Sequence, residues 1–313
     1  MRGRYAPSPT GAIHLGNART ALLAWLAARA PGSTFVMRIE DLDRPRIAPG
    51  AEERLLDDLR WLGLDWDEGP DVGGSAGPYR QSERTARYDD AISQLLAAGR
   101  AFLCACSRAD VARAASAPHA EDDEGPRYPG TCRGGDPEAI TAQAARQGRR
   151  PSVRFHGVPE GTDDFVLRRA DGVAAYQVAV VVDDAAMGIE QVVRGADLVT
   201  STPRQLALYR ALGLGAPAFV HVPLVLSPEG DRLAKRTRPP SIASLRERGL
   251  PADVIVGALA ASAGLCAPGA RAMPATLVVG FDLAELAKLA KLPQEPVVIA
   301  DFDGQSTSAA RRP

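Results

Sequence analysis

Apolar residues recur along the chain at two spacings, and the order in which those spacings alternate already suggests an architecture. Arg4–Ala6 and Thr34–Ile39 (TFVMRI) read as short buried strands. Between them, NARTALLAWLAARA places Leu22, Trp25, Leu26 and Ala30 at helical intervals. A strand, a tight turn, a helix and a second strand is the order of a parallel βαβ unit. Helical spacing returns at Gly50–Leu62 and at Ser82–Ala98, where Ser82 offers an N-cap. RAFLCACS reads as a strand, after which residues 113–150 break into an acidic loop with Pro and Gly clusters. AAYQVAVVVDDAAMGIEQVVRGADL restores a β-rich pattern, TPRQLALYRALG is an amphipathic helix, and AFVHVPLVLS is a continuous buried strand. Helical segments follow near Ala252–Ala263 and Leu283–Leu289, and DFDGQSTSAARRP has the composition of a disordered tail.

The expected fold class is therefore α/β. A Rossmann-like parallel-sheet domain occupies residues 1–100 and 191–240, split by an inserted subdomain at 101–190. A helical segment covers 241–300 and the tail 301–313. Charge narrows the choice of partners: 37 basic residues face 38 acidic ones, so a polyanion must be met by local patches. Such patches are offered by Arg146–Arg154 (RQGRRPSVR) and by Arg232, Lys235, Arg236, Arg238, Arg246 and Arg248, although either stretch alone also fits a solvated face. MRGRYAPSPTG has no apolar signal core, and VAAYQVAVVV is about half the length of a bilayer span. Four cysteines make no disulfide framework in a chain this long. The expectation is a cytoplasmic protein without membrane attachment, acting as a monomer.

Three of those cysteines do form a pattern. CAC (Cys104, Cys106) and YPGTC (Tyr128, Cys132) suggest a structural Zn²⁺ in a subdomain with little apolar core. Three thiolates are one short of tetrahedral closure, and the residues leave the fourth ligand open between His119 and Tyr128. Cys266, alone in the helical region, reads as a small buried hydrophobe.

The opening turn carries the strongest functional signal. In APSPTGAIHLGNARTALL, prolines and glycines let the chain leave the first strand sharply, and the next helix points unpaired N–H groups into that turn. An anion such as phosphate is the natural occupant. His14 and Asn17 can each donate a hydrogen bond to it. RYAPSPTGAIHLGNARTALLAW resembles the first motif of class I aminoacyl-tRNA synthetases in the form used by the glutamyl branch. Here the quartet is His14-Leu15-Gly16-Asn17, and Asn17 stands where the family usually has a second histidine. That replacement keeps a donor and removes a titratable group, which suits electrostatic stabilisation rather than acid–base chemistry. MRIEDLDRPR (Met37–Arg46), AAYQVAVVVDDAAMGI (Ala174–Ile189) and VVRGADLVTSTPRQ (Val192–Gln205) are similar to glutamyl-type segments in the same order.

The resemblance implies a substrate with two carboxylates and one ammonium, together with ATP and Mg²⁺. Arg4 and Arg194 become candidate carboxylate clamps, because a guanidinium matches a carboxylate bidentately. Tyr176 and Ser8 are candidate neighbours of the same ligand, and Glu40 is the candidate partner of the ammonium. Pro7, His14, Gly16 and Asn17 would line the ATP site. In GDRLAKRTRP the family's mobile lysine loop is altered to Arg232-Leu233-Ala234-Lys235, which leaves Lys235 to neutralise developing phosphate charge. His14, Asn17 and Lys235 are thus the catalytic candidates. The resemblance also selects Tyr128 over His119 as fourth metal ligand.

Roughly seventy residues follow the lysine loop, fewer than a helical anticodon-reading domain needs. A shortened glutamyl-type chain with a Cys-x-Cys…Tyr-x3-Cys cluster looks like the glutamyl-queuosine tRNA(Asp) synthetases. That implies glutamate activation by ATP and transfer to the queuosine base in the anticodon of tRNA(Asp). Two other readings compete: a minimal ligase charging a tRNA 3′ end, and a non-catalytic RNA-binding paralogue, kept open by the departures at Asn17 and Ala234.

Overall fold

The computed structural model describes residues 1–114, 127–225 and 240–284. In chain order it runs β1 (Arg2–Tyr5), α1 (Leu15–Arg29), β2 (Thr34–Met37), α2 (Ala51–Trp61) and α3 (Thr85–Ala97). Then come β3 (Ala101–Cys104), α4 (Arg108–Ala114), α5 (Pro137–Arg146), β4 (Ser152–Phe155) and β5 (Val166–Arg168). The chain continues through α6 (Tyr176–Ala186), β6 (Gln191–Gly195), α7 (Ser201–Leu212) and β7 (Ala218–Val222). It closes with α8 (Ile242–Glu247), α9 (Ala252–Ala261) and a short α10 (Pro274–Leu277). Lys235, with Arg232, Arg236 and Arg238, lies outside the described residues, as do His119, the 301–313 tail and most of the helix expected at Leu283–Leu289.

Strands β2, β1, β6 and β7 pair in that order as a parallel sheet, and β3, β4 and β5 form a separate antiparallel one. From β1 the chain crosses to β2 on one side, and it returns much later to β6 on the other. The strand order therefore switches between β1 and β6, and ligands of open α/β sheets bind at such a switch, beyond the C-terminal strand ends. Helix α1 covers β1 and β6 and also meets α9. Sandwiched in this way, it buries Leu15, Leu22, Leu23, Trp25 and Leu26 around most of its circumference rather than along one stripe.

Three expectations from the sequence need correction. Ser82 is not a helix N-cap: its N–H and Oγ donate to the Asp41 carboxylate at 2.8 and 2.5 Å, and α3 begins at Thr85 behind Arg84. The stretch from Ala174 onward is not β-rich before Gln191, because Tyr176–Ala186 is helical. Its run of valines mimics a central strand, but this helix is buried on nearly all sides, where apolar periodicity cannot tell the two apart. Strand β7 is shorter than AFVHVPLVLS and mostly half-buried, because it is the edge of its sheet.

Helix α6 carries two successive carboxylates, Asp183 and Asp184, with no solvent exposure. Consecutive helical positions diverge by about 100°, so the pair serves two directions. Asp183 accepts from Arg84 Nε at 2.5 Å, Gln81 Nε2 at 2.9 Å and the Tyr88 hydroxyl at 2.8 Å. Asp184 accepts from Arg38 at 2.5 Å and Arg4 Nε at 3.3 Å. Burial alone would raise the Asp184 carboxyl, but Arg38 and Arg4 outweigh it and hold the group below the usual carboxylate range. Removing one partner of a buried ion pair leaves an uncompensated charge. Asp183→Asn is therefore expected to lower the free energy of unfolding by about 3 kcal/mol or more, measured by urea titration; a loss under about 0.5 kcal/mol would contradict this role.

Candidate active site

All four parallel strands deliver their C-terminal ends to one edge, where the expected residues collect. Arg4 is on β1 and Arg194 on β6, flanking the switch between them. Glu40 lies three residues past β2, and its N–H donates to the Pro7 carbonyl at 2.9 Å. This bond ties the turn after β1 to the segment after β2. Tyr176 opens α6 and is partly exposed. Pro7 is buried while Ser8 is exposed in the same turn.

His14 is the N-cap of α1, with extended backbone (φ −91°, ψ 160°), and its carbonyl accepts from Ala18 N–H at 2.9 Å. The side chains of His14 and Asn17 are exposed and have no hydrogen-bond partner among the described residues. The first N–H groups of α1 and two free donors thus face one open turn, the arrangement that receives an anion. Tyr5 braces it, donating its hydroxyl to the Asn17 carbonyl at 3.1 Å. A β-bridge between His14 and Ser241 attaches the turn to the segment preceding α8.

The electrostatics show what the edge lacks. Arg4, Arg38, Arg84 and Arg194 are all at least 95% buried. Asp183 and Asp184 bind the first three of these, and Glu40 adds a bond from Arg38 at 3.2 Å. Among the described residues Arg194 holds no carboxylate. Its Nη1 donates to Gln205 Oε1 at 2.7 Å, Nη2 to Thr202 Oγ1 at 2.8 Å and Nε to His221 Nε2 at 3.2 Å. Its charge also lies 4.6 Å from the centre of the Phe219 ring. Among the described residues of this cluster, four guanidinium groups thus face three carboxylates, and one buried positive charge is left over. Burial accordingly lowers the Arg194 pKa, despite the Tyr176 hydroxyl beside it. Glu40 shifts upward because burial outweighs its attraction to Arg38 and Arg4. Arg4, Arg194 and Glu40 all act electrostatically on the Tyr176 hydroxyl, so both signs of charge meet there.

The sequence pattern proposes Arg4, Glu40, Tyr176 and Arg194, and the structure brings them to one end of the sheet. The pattern gives no sign of the groups around them: Asp183, Asp184, Arg38, Gln205, Thr202 and His221. An Asp-Asp pair inside an apolar run was the available signal, since buried acids need buried bases.

The cysteine cluster lies at the far end of the second sheet, where β3 ends. The sulfurs of Cys104, Cys106 and Cys132 lie within 4.8 Å of one another, and Cys106 Sγ is 3.7 Å from Cys132 Sγ. Tetrahedral ligation with metal–sulfur bonds of about 2.3 Å places sulfurs about 3.8 Å apart, so the donors fit a metal. The Tyr128 oxygen is 3.4 Å from Cys104 Sγ and 3.9 Å from Cys106 Sγ, and it accepts from the Cys132 N–H at 2.8 Å. Burial and the neighbouring Cys104 and Cys132 push the Cys106 thiol up to about 12. Arg154 lies 4.0 Å from the Tyr128 ring centre and donates to Cys104, so it is engaged here rather than free for RNA.

Comparison with known proteins follows the same lines. The family described as "tRNA synthetases class I (E and Q), catalytic domain" matches residues 1–271. The chain is 52% identical over 314 residues to a glutamyl-Q tRNA(Asp) synthetase of Symbiobacterium thermophilum, covering 95% of each protein. It is 46% identical over 267 residues to a glutamate–tRNA ligase of Acidithiobacillus ferrooxidans, covering 80% of this chain but 55% of that one. Among solved structures, a glutamate–tRNA synthetase from Elizabethkingia anophelis matches with a TM-score of 0.79 and 29% identity, over 95% of this chain and 68% of the other.

Burial and the adjacent Arg194 lower the His221 pKa to about 4. The unfolded chain would take up a proton near pH 6.5 that the fold refuses, so stability falls as pH drops from about 6.5 toward 4. NMR is expected to show a neutral His221 ring from pH 5.5 upward, and His221→Gln to flatten that part of the stability curve. A ring titrating near 6.5 would contradict the geometry.

Proposed function

Since the chain belongs to the class I tRNA synthetase family for glutamate and glutamine, we propose that its edge site forms glutamyl-adenylate from L-glutamate and ATP and passes the glutamyl group to queuosine in the anticodon of tRNA(Asp). The observation that carries this reading is the uncompensated buried charge at Arg194. Glutamate at neutral pH bears one net negative charge, so it supplies the missing counter-ion. Arg4 and Arg194 receive its two carboxylates, the Tyr176 hydroxyl donates to the same ligand, and Glu40 takes the ammonium. Ser8 lies in the turn beside them.

The α-carboxylate is already ionised and needs no base to attack the α-phosphate of ATP, from which pyrophosphate leaves. Pro7 in the turn, His14 at the N-cap and Gly16 and Asn17 in the first turn of α1 would lie under the phosphates. There the N-terminus of α1 and the two side-chain donors stabilise charge developing on the phosphoryl oxygens. Lys235 is assigned to the same charge from the sequence pattern. Mg²⁺ would accompany ATP, held by phosphates and water. In the second step a hydroxyl of the queuosine cyclopentene diol attacks the glutamyl carbonyl, and AMP leaves. Queuosine as acceptor, rather than a 3′ ribose, is supported by the near-complete coverage of the glutamyl-Q relative against about half of the ligase.

Glutamate-dependent exchange of pyrophosphate into ATP, without tRNA, is the primary test. Exchange is expected in the wild type and is expected to fall by at least about a hundredfold in Arg194→Ala, since that variant leaves a carboxylate without its partner. Nuclease mapping of tRNA charged with labelled glutamate should place label on the modified anticodon base. Label on the terminal adenosine would establish the 3′-end ligase instead, and absence of exchange the non-catalytic paralogue.

We also assign Zn²⁺ to Cys104, Cys106, Cys132 and Tyr128, where it would tie the end of β3 to the segment before α5. Elemental analysis is expected to return about one equivalent of zinc, and Cys132→Ser less than about a tenth, because structural zinc is tightly held. Substoichiometric zinc in the wild type would remove the site.

A further inference from the structure

The neutral groups around Arg194 form an ordered chain rather than a chance set. A guanidinium only donates, so Gln205 must turn its Oε1 toward Arg194. That leaves its amide nitrogen to donate to Gln177 Oε1 at 3.0 Å, and Gln177 Nε2 in turn donates to Ser201 Oγ at 2.9 Å. Gln205, Gln177 and Ser201 are all buried, so the amide orientations are dictated by the hydrogen bonds around them. On the other flank, His221 Nε2 accepts from Arg194 Nε and is therefore unprotonated. The Thr202 hydroxyl, 3.0 Å from that nitrogen, accepts from Arg194 and donates to the Leu198 carbonyl at 3.5 Å. Phe219 closes one face of the guanidinium and stacks on His221 with ring centres 6.3 Å apart.

Three of the five N–H groups of Arg194 are thus fixed in direction by acceptors that carry no charge. The contrast with Arg4, Arg38 and Arg84 is chemical. Each of those holds an aspartate, which makes a stronger hydrogen bond than an amide or imidazole does. A carboxylate at position 205 or 221 would hold Arg194 more tightly and would also neutralise it. We propose that Gln205, Thr202 and His221 are positioning residues whose neutrality keeps the Arg194 charge available to a carboxylate of the substrate. The inference rests on the reading of Arg194 as a glutamate clamp and names the device that makes it one.

Gln205→Glu separates this role from simple packing, because it preserves shape and exchanges the bond to Gln177 for a charge-assisted bond to Arg194. The Michaelis constant for glutamate in pyrophosphate exchange is expected to rise by about thirtyfold or more, with the variant still folding cooperatively. The constant for ATP and kcat are expected to stay within about threefold, because an interaction lost equally from ground and transition states moves KM alone. Position 221, on the edge strand, provides a second series. His221→Glu is expected to raise the glutamate constant more than His221→Phe, and His221→Gln to recover most of what His221→Phe loses. If the acidic variants bind glutamate within about threefold of the wild type, neutrality does not matter and the proposal falls. Exchange by the wild type tests the glutamate reading itself, so the two failures are distinguishable.

Discussion

A buried carboxylate pair on one helix holds this molecule together. Asp183 and Asp184 sit in an apolar helix, each facing a different wall, and between them they hold Arg4, Arg38 and Arg84. Such groups are costly to desolvate and tolerable only when paired. The sheet, α3 and α6 are therefore locked by an electrostatic demand as well as by apolar packing. Arg38 extends that lock to Glu40, so the cationic and anionic sides of the site lean on the same aspartate.

Against this background the treatment of Arg194 is informative. Its neighbours could have neutralised it and did not. A pocket with one surplus charge is a pocket prepared for an anion, and the cost of keeping that charge buried is part of what makes binding selective. The turn before α1, with the first N–H groups of that helix, lies at the same end of the parallel sheet.

Much of this was legible in the sequence. The βαβ opening, the turn before α1 and the Cys-x-Cys pattern are local, and local patterns survive in one dimension. Arg4, Glu40 and Arg194 are candidates through a family pattern alone, because nothing near them in the chain reveals their partners. The distant pairs were not legible: Arg4 and Asp184 are 180 positions apart, and only the strand order brings them together. Helix α6 was misread for a related reason. Its valines answer to burial on every side, and its aspartates answer to arginines on other elements, so neither displays a helical face. Ser82 looked like a cap because its preference for an acceptor is local, whereas the acceptor it serves, Asp41, lies on another segment.

The long excursion between β2 and β6 has a consequence for how such a chain is made. The first two strands emerge from the ribosome early, carrying Arg4 and Arg38 in positions that the finished sheet buries. The aspartates they pair with, Asp183 and Asp184, are encoded beyond the whole second sheet, and Glu40 is the partner of Arg38 that lies close in sequence. A chain cut before α6 lacks those aspartates as well as β6 and β7, half of the parallel sheet. The cations of the site therefore take their fixed places only when both halves of the chain are present.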